Sequence, residues 1–197
     1  MSAPGWTELE GEMRARLTAA SFNHSLRTGA TAVRLAQIHG ADERQAGIAG
    51  LVHDAARDLT DAQLLEQAEH FGLKIDPVEA GKPYLLHSAI GAKIVALELG
   101  IEDAAIVSAV AKHTFGDTYM NKLDRIVYLA DVIEPGRACA GLDEIRRLAQ
   151  INLDDAFKAA YKAQLISIIA RGGYLHPRTL QVWNHIASEV NGDGGTI

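Results

Sequence analysis

No stretch of this chain alternates apolar and polar residues as a half-buried strand does. What recurs is the three-to-four-residue spacing of amphipathic helices, interrupted by glycine, proline and small polar caps. Residues 7–20 and 22–39 read as helices, the second stopped at Gly40. Asp42 with Gln45, and Thr60 with Gln63, resemble capping boxes that open helices at about 43–56 and 61–71. The stretch KIDPVEAGKP holds two of the five prolines and predicts a loop with one helical turn. Helices resume at about 84–99, 102–113, 121–133, 152–170 and 178–190, and Pro135-Gly136 breaks the chain after the third of these. The expectation is an all-α protein. A helical segment over 1–20 precedes one domain over 21–190, and a frayed tail follows over 191–197.

Composition narrows the function. Alanine, leucine and isoleucine supply most of the apolar content, aromatics are few, and 197 residues can bury a core without disulfide staples. Cys139 is the only cysteine, which rules out an internal disulfide and a cysteine zinc motif and suits a free thiol in a reducing compartment. The net charge of −6 argues against nucleic acid as a partner, because broad phosphate-backbone binding needs a basic face. Small phosphorylated ligands stay open, since a bound metal inverts the local field. Residues MSAPGWTELEGEMR do not read as a signal peptide, and no apolar run reaches about 18 residues. A cytoplasmic protein without a membrane partner is expected.

Six side chains carry the candidate chemistry: His24, the adjacent His53 and Asp54, His87, His113 and Asp131. Adjacent helical residues point about 100° apart, so His53 and Asp54 can share an ion only if it lies beyond the helix end. Asp131 sits in the apolar phrase IVYLADVIEPG. Either it faces the core, where it needs a cation or a hydrogen-bond network, or it lies on the polar side with Asp124 and Arg125. Periodicity does not separate the two. Together the six offer mixed nitrogen and oxygen donors, a set for Fe, Mn, Co, Ni or Zn rather than Ca or Mg. Carboxylates can also bridge two ions.

The order His24, His53-Asp54, His87, His113, Asp131 resembles the H…HD…H…H…D pattern of the HD-domain phosphohydrolase superfamily. The phrases IAGLVHDAARD, LLHSAIGA, KHTFG and LADVIEPGR, with His-Pro-Arg-Thr at 176–179, resemble the YqeK-type family of symmetrical diadenosine tetraphosphate hydrolases. The resemblance runs from about residue 20 to 185. It implies a single HD-domain helical bundle, with His24, His53, Asp54 and Asp131 around a divalent transition metal, iron by resemblance. Asp54 and His53 are then the catalytic pair, and His87 and His113 face the same cavity as ligands of a second ion or as substrate contacts. The implied partner is a small nucleotide: Ap4A, cut symmetrically into two ADP. A mononucleotide phosphohydrolase and a non-catalytic nucleotide or metal sensor are the alternatives, with a homodimer among the possible assemblies.

The resemblance also proposes substrate contacts. Relatives often carry arginine three positions before the first ligand, where this chain has Ser21, so a bidentate phosphate contact is lost there. Arg57, one turn past the His-Asp pair, and the loop residue Arg137 are candidates for phosphate neutralisation. Thr60 either touches the ligand or simply caps its helix. In RGGYLH, Gly172 and Gly173 make a helix cap, while Arg171, Tyr174 and His176 are candidates to line the nucleotide, Tyr174 against a base. Lys112 reads as a solvated neighbour of His113. His39, His70 and His185 match no family position and read as structural or surface residues.

Overall fold

A computed structural model describes residues 4–138 and 141–191; Cys139 and nearly all of the tail expected to fray lie outside them. Eleven α-helices occur among these residues, with no strand. They are α1 (Trp6–Arg16), α2 (Ala19–His39), α3 (Glu43–Val52), α4 (Asp61–His70), α5 (Pro77–Gly81), α6 (His87–Leu97), α7 (Ala104–Lys112), α8 (Lys122–Ile133), α9 (Leu142–Leu148), α10 (Leu153–Ala170) and α11 (Pro177–Asn191). A 3-10 turn, Pro83–Leu86, leads into α6. No helix among the described residues is long and apolar enough to cross a membrane.

Local chemistry explains most boundaries. Gly40 takes a left-handed φ of 64° that a side chain would oppose, and so ends α2. Thr60 and Gln63 form a reciprocal capping box at α4, and Asp76 and Glu79 form another at α5, the helical turn expected in KIDPVEAGKP. Asp42 caps α3 through the Gln45 amide, but the Gln45 side chain reaches across to Asp103 instead of closing the box.

Four differences from the sequence reading have physical causes. The first helix stops at Arg16, because Leu17 and Thr18 are extended and Thr18 caps α2; Ser21 therefore lies inside α2. The helix expected to 56 ends at Val52, and residues 53–58 form turns although the apolar run continues. The span 84–99 divides into the 3-10 turn and α6. Helix α9 was not expected: it is short, and its N-cap, Gly141, offers no side-chain oxygen.

Helix α8 is the hub, touching α2, α3, α7, α9 and α10. Its Ile126, Val127, Leu129 and Ala130 are fully buried, at about 1.5–3 kcal/mol for each large side chain removed from water. Helices α2 and α3 pack at backbone distance: a Cβ added to Gly50 would lie 2.8 Å from the Cα of Gly29. Helix α1 covers this pair with Leu9 and Met13, and α10 closes the other flank with Phe157, Tyr161 and Leu165. The ends of α3 and α7 and the start of α6 converge beside α8, and that convergence builds the site.

Candidate metal centre

A helix end leaves carbonyls without an intrahelical partner, and three histidines use them. His53, directly after α3, donates its Nδ1–H to the Gly50 carbonyl at 2.8 Å. His113, directly after α7, donates to Val110 at 2.8 Å, and His87, after the 3-10 turn, to Tyr84 at 2.6 Å. A carbonyl can only accept, so each Nδ1 must carry a proton, and in the neutral ring each Nε2 turns a lone pair inward. His24, in the second turn of α2, donates instead to the carboxylate of Glu134 at 3.1 Å.

The inward atoms meet around Asp54. Its Oδ2 lies 3.3 Å from His53 Nε2 and 3.8 Å from His24 Nε2. Asp131 Oδ1 joins this group, 2.9 Å from His24 Nε2 and 3.9 Å from His53 Nε2. The other Asp54 oxygen, Oδ1, lies 3.4 Å from both His87 Nε2 and His113 Nε2. Those two nitrogens are 3.1 Å apart, and the Thr114 hydroxyl sits 3.1 and 3.2 Å from them. Buried lone pairs aimed at one another are costly unless a positive centre separates them. The Nε2 of His53 is buried with no hydrogen-bond partner among the described residues. The donor set fits a divalent transition metal.

The electrostatics agree. Burial opposes a charge on His53, but the carboxylates of Asp54 and Asp131 outweigh it and lift its pKa to about 9. Burial also resists ionisation of Asp54 and Asp131; the surrounding imidazoles, with Arg137 at Asp131, nevertheless hold both carboxyls well below their usual range. His87, desolvated and facing His113, is pushed down to about 4 and is neutral. The centre is a negative well that draws a proton onto His53 where a metal cation would serve.

Asp54, His87, His113 and Asp131 floor a cavity of about 310 Å³, with Arg57, Arg137 and Arg171 on its walls. Arg137 donates to Asp131 Oδ1 at 2.6 Å. Arg171 also borders a second cavity of about 440 Å³, which adjoins the first through Tyr84, Thr114, Gln164 and Ile168. Tyr128 and Tyr161, stacked at 5.7 Å, line this larger space, as does His176, stacked on Phe115 at 4.3 Å. Tyr174 stands at its edge, 76 % exposed.

Two candidates lie elsewhere. Ser21 gives its hydroxyl to Asp58 at 2.8 Å, and Thr60 is engaged with Gln63; neither lines either of these two cavities. Lys112 is not simply solvated: its ammonium donates to the wholly buried Asp124 at 2.8 Å. Sequence reasoning missed Glu134, Arg27, Thr114, Tyr84 and Gln164. An acid directly before Pro135 in an apolar phrase was a usable signal for Glu134. Nothing local marked Arg27 or Gln164, which reach the site through tertiary packing alone.

Residues 21–136 match the family model of the HD domain. This chain belongs to the HD domain family. Among relatives of this HD-domain chain, the symmetrical bis(5′-nucleosyl)-tetraphosphatase of Bacillus subtilis (strain 168) is 30% identical over 176 residues, covering 89% of this chain and 94% of that one. The enzyme of the same name from Staphylococcus aureus is 31% identical over 166 residues, covering 83% and 85%. A crystal structure described as a predicted HD superfamily hydrolase involved in NAD metabolism, from Clostridium acetobutylicum, superposes with a TM-score of 0.90 at 33% identity. It covers 95% of this chain and 100% of that one.

Proposed function

We propose that this HD-domain chain hydrolyses dinucleoside tetraphosphates symmetrically, Ap4A and water giving two ADP. The observation that carries the reading is the double-faced carboxylate of Asp54, one oxygen toward His24 and His53, the other toward His87 and His113. It stands at the floor of an arginine-walled cavity that opens onto an aromatic one. If two ions bind, His24, His53, Asp54 and Asp131 would hold one, and Asp54, His87 and His113 would hold the other. We assign iron by family resemblance. Divalent ions so held supply Lewis acidity, acidifying water and neutralising charge on phosphoryl oxygens.

The chain's own side chains do the rest. Arg57, Arg137 and Arg171 pair with the phosphate chain as it lies across the smaller cavity. The larger cavity takes one nucleoside, with Tyr174 against the base and His176 and the tyrosines enclosing it. That placement leaves a central phosphorus above Asp54. The Asp54 carboxylate, ionised at neutral pH, accepts a hydrogen bond from the attacking water and orients it. The water oxygen bonds to one central phosphorus as that phosphorus loses its bond to the central bridging oxygen. One ADP leaves with the bridging oxygen, the other keeps the water oxygen, and the water's protons pass to solvent and the products.

The test is product analysis on Ap4A with anaerobically prepared, iron-loaded protein. ADP as the sole nucleotide product is expected. AMP with ATP, or release of orthophosphate, refutes symmetrical cleavage. Asp54→Ala and His53→Ala should each lose metal and lower turnover by at least about 10²–10³; normal metal content and turnover in either would sink the assignment.

A further inference from the structure

Three of the four imidazoles at the centre rest their outer nitrogen on backbone carbonyls, which no side-chain substitution removes. His24 alone leans on a carboxylate. Glu134, just past α8, is only 1 % exposed, and both of its oxygens are occupied. Oε1 accepts from His24 Nδ1 at 3.1 Å and from Arg27 Nη2 at 3.2 Å. Oε2 accepts from Arg27 Nε and from the Gly136 amide, each at 2.5 Å. Arg27 lies flat against the Pro135-Gly136 turn, close enough that a Cβ on Gly136 would collide with its guanidinium. The Arg27 side chain is 39 % exposed, and an ion pair open to water on one side contributes little to stability. Stability alone does not account for it.

The geometry points to Glu134 as a positioning residue for the metal centre, with Arg27 aiming its carboxylate at His24. Held this way, His24 can carry its shared proton only on Nδ1 and its ring cannot turn, so Nε2 is fixed toward the centre. Glu134 is not itself a ligand, since its oxygens are spent on His24, Arg27 and Gly136. Arg27 acts only through Glu134. Among the four imidazoles, this is the one outer hydrogen bond that a side-chain substitution can cut. The assignment rests on the metal-centre reading, and the test keeps the two apart.

Full-length protein, stripped with a chelator, is titrated with Co2+ and followed by visible d–d absorption, with Mn2+ competition as a check. Glu134→Gln keeps the shape and one hydrogen bond but removes the charge; it should weaken Co2+ binding about 10–100-fold. Arg27→Ala should weaken it less, and the double variant should be no worse than Glu134→Gln alone. With Co2+ saturating, the KM for Ap4A should equal that of the unaltered protein in all three. Co2+ affinity unchanged in Glu134→Gln overturns the proposal, as do single losses that add in the double variant. If Glu134→Gln does not fold, Arg27→Ala decides: unaltered Co2+ affinity there also overturns it. Failure of the unaltered protein to bind Co2+ removes the centre itself, a different result from the loss of Glu134's role.

Discussion

Alanine at position 50 should damage both the fold and the metal centre. The added Cβ would lie 2.8 Å from Gly29 Cα, 3.0 Å from Gly29 N and 3.1 Å from the Thr28 carbonyl carbon. All three are backbone atoms of α2, so no rotamer change relieves the contact and the helices must part. Overpacking of this kind costs about 1–3 kcal/mol, against a helix-propensity gain of about 1 kcal/mol for replacing glycine. The difference spans about 0–2 kcal/mol, and a contact with rigid backbone puts the net loss in the upper half, about 1–2 kcal/mol. For a chain of this length, that lowers the melting temperature by about 2–8 °C. Gly50 also supplies the carbonyl that holds His53, so Co2+ affinity should fall in parallel. Gly47→Ala is the control: its Cβ would meet Val33 Cγ2 at 2.9 Å and the Trp6 ring at 3.3 Å, side chains that can turn aside. Its net effect should lie within about 1 kcal/mol of zero. Urea unfolding of the chelator-treated proteins, with unchanged m-values, measures both. Gly50→Ala as stable as the unaltered protein, or Gly47→Ala the weaker of the two, refutes the argument from close helix packing.

The metal-free protein should be most stable near pH 6.5, for opposed reasons. His87, held at about 4 instead of 6.5, refuses a proton that the unfolded chain accepts. Its contribution is complete above about 6.5 and is lost as pH falls toward 4. His53, lifted to about 9, keeps a proton that the unfolded chain releases, so its contribution is complete below about 6.5 and lost as pH rises through 9. Glu134, held at about 2 against burial by Arg27, Gly136 and His24, adds a further loss below its ordinary 4.5. Urea midpoints against pH should show both limbs, and His87→Leu should flatten the one between 6.5 and 4; an unaltered limb in that variant counts against the burial argument. In turnover, Arg171→Ala, which touches both cavities, should lower kcat/KM for Ap4A about 10–100-fold through a lost charged hydrogen bond. Tyr174→Ala, being largely exposed, should raise KM only about 5-fold; no change in either would separate the larger cavity from the substrate.

Helices with chemical punctuation were legible in the sequence. Gly40 ends one element and Thr60 begins another, each by a device confined to a few neighbouring residues. Boundaries set by tertiary demand were not. The apolar run through Ala56 gives no sign that the chain leaves α3 at Val52, because the turn is fixed by what His53 and Asp54 must reach. For the two acids of α8, periodicity left the orientation of Asp131 open. In the fold Asp131 turns to the centre, and Asp124 is buried against Lys112, a partner on another helix. The six donor residues could be picked out because they are chemically unusual in apolar surroundings. Arg27 and Glu134 meet across 107 positions, and no local spacing announces such a pair.

Helix α8 presents Tyr128 to the larger cavity and Asp131 to the smaller one. Three residues of α-helix rise about 4.5 Å along the axis, so the interval from the wall of the base chamber to the reactive floor is built into a rigid rod. With the substrate placed as proposed, it would serve as a ruler whose zero is the base. A polyphosphate one unit longer or shorter has to absorb the difference at the far end, where Arg57 and Arg137 sit outside helices. On the proposed reading, tolerance for chain length belongs to the turns that carry those arginines, and the choice of scissile bond to the helix.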